Sequence, residues 1–144
     1  MKNLNVRVYG ILIQDQKVLI SDEYIKGNFI TKFPGGGLEY GEGTKDCLIR
    51  EFKEELNLDI EIISHYFTTD FFVNSAFSKQ SQLISIYYLV KPLGNLNFKI
   101  SEKKFDFKEN KEGEQSVRWL PLNNISENDF TFIIDKHVAE MLEK

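Results

Sequence analysis

Three glutamates stand close together near the middle of the chain, at spacings that place them side by side on a helix. Glu51, Glu54 and Glu55 lie in the run 45–56, which no glycine or proline interrupts. At about 100° of rotation per residue, their carboxylates fall on one side of a helix. Like charges at these spacings weaken an isolated helix unless a cation lies between them. Because Mg²⁺ prefers oxygen ligands, the pattern predicts a metal site; the alternative is a solvated acidic face balanced by neighbouring basic residues.

The same run has an apolar side, which predicts how the helix packs. Thr44 precedes it and is the predicted N-cap. The residues predicted to face the core are Leu48, Ile49, Phe52 and Leu56. We therefore expect one helix over 45–56 with a core face and a neighbouring acidic face.

Glycine dominates the segment before this helix. Pro34 cannot extend a central strand, and Gly35, Gly36 and Gly37 allow close approaches that side chains would block. Their carbonyls and amides can reach a metal ion or a substrate phosphate near the start of the helix, where the helix dipole favours anions. The glycine segment and the acidic helix are thus predicted to meet at one site.

Together these residues resemble the Nudix box, the signature of the Nudix hydrolase superfamily. The matching positions are Gly36, Glu42, Arg50, Glu51, Phe52, Lys53, Glu54, Glu55 and Leu58. The family usually has glycine where this chain has Asn57. Asparagine is the next most tolerant residue of left-handed backbone geometry, so we expect the helix to end there in the same way.

The resemblance implies a metal site and its ligands. The cofactor would be Mg²⁺, with Mn²⁺ as the alternative. The implied ligands are Glu51, Glu54, Glu55, the Gly35 carbonyl and a glutamate outside the box. Glu114 is the first choice for that last ligand and Glu112 the second, because both precede a segment that ends in Trp119 and Pro121, as in the family. A solvated carboxylate is the alternative for either residue.

The resemblance also implies catalytic roles. Glu51 would be a metal ligand that also acts as general base, although the base lies elsewhere in some family members. Arg50 would orient a carboxylate, Glu55 would be the most constant metal ligand, and Glu42 would support the helix near the metal. The implied enzyme is a Nudix pyrophosphohydrolase that cleaves a phosphoanhydride bond in a nucleoside diphosphate linked to another moiety.

The substrate is a small nucleotide in this interpretation. The short chain and compact box resemble members that act on nucleoside triphosphates, oxidised ones included. The ADP-ribose group would place a proline where this chain has Phe72, Val73 and Asn74, which argues against that substrate. Two other hypotheses are a Nudix-like module that binds a nucleotide or sugar phosphate without hydrolysing it, and a purely structural domain with an acidic helix.

Residues before the box are candidates for substrate binding. Arg7 lies in a predicted strand, where a lone arginine is most often an edge residue or a carboxylate partner; if the strand borders the cleft, it would hold a phosphate. Tyr24, Phe29 and Phe33 precede the glycine segment and could stack on a base, with Phe29 as the chosen residue. Core packing is the expected role of at least two of the three.

The remaining elements place the box in an α/β fold. Strands are predicted over 5–13 and 17–24, over 59–73 and 83–90 as a long hairpin, and over 96–100 as a short edge, followed by a charged surface loop over 101–115. A C-terminal helix should pack on the sheet. Its predicted packing residues are Phe132, Ile133, Val138, Met141 and Leu142. The resemblance implies a Nudix-like α/β/α sandwich with a mixed β-sheet.

Composition limits the remaining possibilities. With 144 residues, 42% of them hydrophobic, the chain fits a single domain over 1–144. A net charge of -4 provides no basic surface for long DNA or RNA. Cys47, the one cysteine, excludes an internal disulfide and is expected to pack on the helix. With no secretory signal or membrane-spanning run in the sequence, we expect a cytoplasmic protein without a membrane partner; the family resemblance implies a homodimer.

Overall fold

A computed structural model describes residues 1–143, and backbone contacts group them into two compact units. The first unit comprises Met1–Leu12 and Pro34–Asn97, and the second comprises Ile13–Phe33 and the chain from Phe98 onward. The single domain over 1–144 stays a prediction.

The elements confirm the predicted α/β class. In chain order they are β1 (Asn3–Gln14), β2 (Lys17–Ile25), β3 (Asn28–Lys32), β4 (Gly35–Gly37), α1 (Thr44–Leu56), β5 (Ile60–Thr68), β6 (Asn74–Ser75), β7 (Ser78–Pro92), β8 (Ile100–Ser101), β9 (Gln115–Pro121) and α2 (Ile133–Leu142), with 3-10 turns at Leu122–Asn124 and Glu127–Asp129. Neither described helix is long and apolar enough to cross a membrane.

The first unit contains a mixed sheet, as predicted. Strand β7 runs parallel to β1 and antiparallel to β5, while β4 runs antiparallel to β1. The predicted hairpin of β5 and β7 is confirmed, but β5 ends at Thr68 and not at Val73, and β7 begins at Ser78, five residues before the predicted start at Leu83. The added residues are polar, and they extend the strand because β1 and β6 offer them hydrogen-bonding partners, from Asn3 opposite Ser81 onward.

Helix α1 packs one face in the first unit. Its N-cap and one of its predicted core residues differ from the prediction. Its buried residues are Cys47, Leu48, Phe52 and Leu56. Ile49 was predicted to face the core but is 38% exposed. The predicted N-cap is also wrong: Gly43 caps the helix, and the Thr44 hydroxyl lies 2.6 Å from the hydroxyl of Tyr88.

Two residues show how closely α1 is fitted. A side chain at Gly10 would meet the ring of Phe52 at 2.6 Å, so glycine lets the helix approach β1. At the other end, Asn57 adopts the left-handed conformation with φ 50° and ψ 39°, and its amide donates to the carbonyl of Lys53. The predicted helix stop at Asn57 is confirmed.

The second unit is also built on a sheet. Strands β3 and β9 pair antiparallel with β2, β8 pairs parallel with β9, and the end of β1 forms the predicted hairpin with β2. Its sheet contains two buried ion pairs, Asp22 with Arg118 at 2.7 Å and Glu23 with Lys32 at 3.2 Å. The predicted edge strand over 96–100 is wrong except at Ile100, which begins the two-residue β8, and the following charged stretch forms turns and loops up to β9.

Helix α2 packs in the second unit by a face that agrees with the prediction at Val138 but not at Ile133. Ile134, Val138 and Ala139 are buried, whereas Ile133, predicted to pack, is 63% exposed. Phe33 is fully buried and stacks on Phe130 at 4.5 Å between ring centroids. Phe33 is therefore a core residue, one of the two expected roles for the aromatic residues before the glycine segment.

Candidate active site

The glycine segment forms the short strand β4, and two of its residues have no room for a side chain. Gly35 has φ +147°, and a Cβ there would collide with the carbonyl oxygen of Val8 in β1. A Cβ on Gly36 would lie 2.5–2.7 Å from the carboxylate atoms of Glu51. Glycine at these positions thus lets β1 approach from one side and a box glutamate from the other.

Backbone pairing determines which way the glycine carbonyls point. The carbonyl of Pro34 accepts a hydrogen bond from the Gly10 amide at 2.8 Å, and the Leu38 amide donates to Val6 at 2.9 Å. Because alternate residues of an antiparallel strand direct their backbone groups to the partner, Gly35 and Gly37 direct theirs away from β1. The Gly35 carbonyl is therefore presented at the outer edge of β4.

Arg50 is the centre of a polar network beside β4. Its Nε and Nη2 donate to the two carboxylate oxygens of Glu42 at 2.9 and 2.6 Å. Its Nη1 contacts Glu51 at 3.1 Å and Glu54 at 3.2 Å. Nη2 also donates to the Gly37 carbonyl at 3.1 Å. One guanidinium thus joins the acidic face of α1 to the glycine strand and to the loop before the helix.

Arg50 and Glu42 each stabilise the charged form of the other. The hydrogen bonds from Arg50, followed by one from the Glu39 amide, lower the pKa of Glu42 to about 2. The same carboxylate raises the pKa of Arg50. Both groups are therefore charged whenever the protein is folded near neutrality.

Cys47 lies beside this network, and its thiol is in an environment that disfavours the reactive thiolate. Its thiol is buried, with Sγ 3.5 Å from the Gly37 carbonyl. Burial, followed by the neighbouring carboxylate of Glu42, raises the pKa of Cys47 to about 12. Because the thiolate is the reactive form, this agrees with the predicted packing role.

The box carboxylates fit a hard cation by their chemistry, but Arg50 holds two of them. Within residues 1–143, no group of three or more Asp, Glu, His or Cys side chains is gathered closely enough to hold a metal ion as arranged. Glu51 and Glu54 would have to turn from Arg50 to share a cation with Glu55 on the same helix. Because Gly36 has no side chain, the Glu51 carboxylate can lie beside β4, whose Gly35 carbonyl offers another oxygen ligand. The metal roles of these residues stay predictions.

Arg7 lies beside β4, though not at an edge. Strand β1 is paired on both sides at this residue, with Gly37 of β4 and Ser85 of β7, so the expected edge position is wrong. The Nε of Arg7 donates to the hydroxyl of Tyr9 at 2.6 Å, and its Nη1 lies 3.6 Å from a Cβ position on Gly37. Sequence reasoning missed Tyr9, although its spacing of two residues from Arg7 places both on one face of a strand.

Phe29 lies in the second unit within a group of aromatic rings. Its centroid is 5.1 Å from those of Tyr24 and Phe105 and 6.4 Å from that of Phe107. The side chain is nevertheless 46% exposed. Base stacking by Phe29 stays a prediction.

The two glutamates considered as the ligand outside the box also lie in the second unit. The Glu112 carboxylate accepts a hydrogen bond from the Lys26 amide at 2.6 Å, which gives it a local structural role. Glu114 is half-buried, and its carbonyl accepts from the Tyr24 amide at 3.0 Å. The role of Glu114 as a metal ligand stays a prediction.

Comparison with known proteins gives one family over nearly the whole chain. A sequence profile for the NUDIX domain matches residues 1–141. RNA pyrophosphohydrolase of Campylobacter jejuni subsp. jejuni serotype O:23/36 (strain 81-176) is 37% identical over 71 residues, which cover 45% of this chain and 45% of that protein. The match thus spans less than half the length of this curated relative.

Solved structures share the fold at low sequence identity. A NUDIX hydrolase from Nitrosomonas europaea superposes with a TM-score of 0.71 at 17% identity, covering 96% of this chain and 87% of the other. A MutT NUDIX hydrolase from Burkholderia pseudomallei gives a TM-score of 0.71 at 16% identity, covering 99% and 100%. The fold that the box implied is confirmed.

Proposed function

This chain belongs to the NUDIX family, and from that premise we propose that it is a divalent-metal-dependent pyrophosphohydrolase. It cleaves a phosphoanhydride bond in a nucleoside diphosphate linked to another moiety, with nucleoside triphosphates, oxidised ones included, as the favoured substrates. The observation that supports this proposal most directly is the Arg50 network, which gathers Glu42, Glu51 and Glu54 at the glycine strand.

The residues that would hold Mg²⁺ are Glu51, Glu54 and Glu55 of α1 and the Gly35 carbonyl. Mn²⁺ suits the same oxygen donors. When bound, the ion polarises phosphoryl oxygens and lowers the pKa of a coordinated water. Arg50 would keep its two hydrogen bonds to Glu42 and would give up those to Glu51 and Glu54, because a divalent cation would replace its charge there.

Glu51 is the group that we assign to proton transfer. Its carboxylate is 13% exposed and lies against Gly36, so the side chain is restricted before substrate arrives. It accepts a proton from the attacking water as the phosphoanhydride bond breaks. General-base catalysis of this kind typically contributes about 10²- to 10⁴-fold to the rate.

Arg7 is the residue that we assign to substrate phosphate. It lies on the face of β4 opposite Glu51, since Gly36 and Gly37 are successive residues and alternate between faces. No side chain on either glycine separates the two groups. A pyrophosphate at the outer edge of β4 would therefore meet the carboxylate from one face and the guanidinium from the other.

A substrate screen tests the proposal. Nucleoside triphosphates, oxidised nucleotides, dinucleotides, nucleotide sugars and ADP-ribose are incubated with Mg²⁺, and both released products are identified. RNA with a 5′-triphosphate joins the panel because of the similar Campylobacter protein, despite the net charge of -4. We expect Glu51→Gln to lower turnover of the best substrate by about 10²- to 10⁴-fold.

Glu61→Gln is the matched control for that variant. Glu61 is an exposed carboxylate of β5 that pairs with Lys91 at 3.6 Å, so its loss should leave turnover unchanged. Equal turnover by wild type and Glu51→Gln on every substrate would reject the assignment of Glu51.

The alternative is a NUDIX module that binds a nucleotide or sugar phosphate without hydrolysing it. One observation fits it: Arg50 pairs with Glu51 at 3.1 Å and with Glu54 at 3.2 Å, so both carboxylates have a cationic partner within the protein. This alternative predicts saturable binding of a panel compound, no product with any of them, and no change in its affinity when Mg²⁺ is removed.

A further inference from the structure

Tyr9 connects the candidate phosphate ligand to the glycine strand. Its hydroxyl accepts the hydrogen bond from Arg7 Nε at 2.6 Å, and the Arg7 guanidinium lies 5.7 Å from its ring centroid. A hydrogen bond from a charged donor at this length is among the stronger kinds. This contact restricts the orientation of the arginine.

The ring of Tyr9 is itself held in place. It is only 6% exposed and lies 5.2 Å from the ring of the fully buried Tyr87 on β7. Across the strand pair it faces Gly35, where a Cβ would meet its Cδ1 at 2.9 Å. Tyr9 therefore packs directly on the backbone of the residue whose carbonyl is the candidate metal ligand.

The hydrogen bond also determines which end of Arg7 faces the site. Nε of Arg7 is bonded to Tyr9, so a phosphate would be bound by the terminal nitrogens of the guanidinium. One of these, Nη1, lies beside Gly37. The Gly37 carbonyl on the same residue is held by Arg50. Two guanidinium groups thus converge on one glycine, and both are rigidly supported.

We propose that Tyr9 is a positioning residue whose hydroxyl orients Arg7 so that the guanidinium takes a phosphate oxygen of the substrate's pyrophosphate bridge. This inference rests on the proposed function, because it assigns Arg7 to that substrate. Tyr9 does not touch the reacting atoms. It preorganises the arginine, so less conformational freedom is lost when the phosphate binds.

A double-mutant cycle separates this role from simple packing. The probe is imidodiphosphate, a pyrophosphate analogue that resists hydrolysis, titrated by calorimetry with Mg²⁺ present. Tyr9→Phe keeps the ring and removes only the hydroxyl. We expect it to weaken binding about 3- to 10-fold, and Arg7→Gln to weaken it about 10- to 100-fold. If Tyr9 acts through Arg7, adding Tyr9→Phe to Arg7→Gln should weaken binding no further.

Turnover measurements provide the second readout. On the best substrate of the screen, Tyr9→Phe should raise KM and leave kcat within about twofold, because phosphate binding is loosened equally in the ground state and the transition state. Tyr66→Phe is the matched control, a half-buried tyrosine of β5 in the same unit. It should alter neither the affinity for imidodiphosphate nor KM.

Each result decides between the two proposals. Unchanged affinity in Tyr9→Phe, or an equal loss in both backgrounds, overturns the role of Tyr9 while hydrolysis and the role of Arg7 stand. Unchanged affinity in Arg7→Gln overturns both residues' assignments. If the affinity losses of Tyr9→Phe and Arg7→Gln are coupled but the protein hydrolyses no compound of the screen, the positioning role is supported and the proposed hydrolase activity is rejected.

Discussion

Arg50 donates two parallel hydrogen bonds to Glu42, from Nε to one carboxylate oxygen at 2.9 Å and from Nη2 to the other at 2.6 Å. This two-point contact fixes the plane of the guanidinium. The remaining nitrogen, Nη1, is consequently directed at Glu51 and Glu54 on the same helix. The orientation of Glu51 and Glu54 on α1 thus depends on a glutamate in the loop before the helix.

Replacing Arg50 by lysine tests this dependence. Arg50→Lys keeps the charge but loses the planar fork, so it cannot hold Glu42 at two points and reach the other carboxylates. We expect turnover to fall about 10²-fold because the box carboxylates lose their alignment. Lys53→Gln is the control, since the Lys53 side chain forms an exposed pair with Asp59 at 3.3 Å. Turnover by Arg50→Lys equal to that of the control would contradict the role of the fork.

Acid unfolding should report the pair of Arg50 and Glu42. The folded protein lowers the pKa of Glu42 from 4.5 to about 2. A depressed carboxylate pKa stabilises the fold above the unfolded value of 4.5, and this stability is lost as pH falls from 4.5 to 2. Glu42→Gln should therefore lower the free energy of unfolding near neutrality and flatten its dependence on pH within that window. Urea titrations between pH 2 and pH 7 measure this, and parallel profiles for the two proteins would count against it.

The glycines of β4 should differ in what their substitution damages. Gly36→Ala places a methyl group 2.5 Å from the Glu51 carboxylate, a flexible end that can move. We expect the protein to fold and turnover to fall about 10²-fold, because the displaced carboxylate is misplaced for catalysis. Gly35→Ala meets the backbone of Val8 at a positive φ and should destabilise the fold itself.

Gly94→Ala is the control for both variants. Within residues 1–143, no heavy atom beyond Gly94 and its two chain neighbours lies within 4 Å of a Cβ at Gly94, so this substitution should change neither turnover nor the melting temperature. Turnover and calorimetric melting of the three proteins are compared. If Gly36→Ala retained full turnover, the contact between Gly36 and Glu51 would have no catalytic importance.

The departure from the family's glycine at position 57 has an expected effect on stability. Asn57 has φ 50°, a conformation that costs an L-residue with a side chain about 1–2 kcal/mol, less for asparagine. Asn57→Gly should therefore leave the free energy of unfolding unchanged or raise it by up to about 1 kcal/mol, and Asn57→Ala should lower it by a similar amount. The urea midpoints of the three proteins measure these changes. If Asn57→Ala were as stable as wild type, the end of the helix would relax out of the left-handed conformation.

Local signals in the sequence were enough to determine the α/β class, the helix that carries the box glutamates and its end at Asn57. Each of these depends on neighbours within a few residues: periodicity for the helix, left-handed tolerance for its stop, and β-branched density for the strands. The packing role of Cys47 was predicted because it is the one cysteine of the chain and lies on this helix. For these features the surrounding fold and the local preference agree.

The tertiary structure decided what depends on residues far apart in the chain. Strand β7 starts early because β1 supplies its hydrogen bonds, and Ile49 stays exposed because no element covers it. The contacts of Arg50 with Glu42 and of Arg7 with Tyr9 depend on side-chain rotamers set by packing on β4. Periodicity could place these residues on a helix or a strand face, but only the pairing of β4 with β1 brings the two arginines to the same glycine.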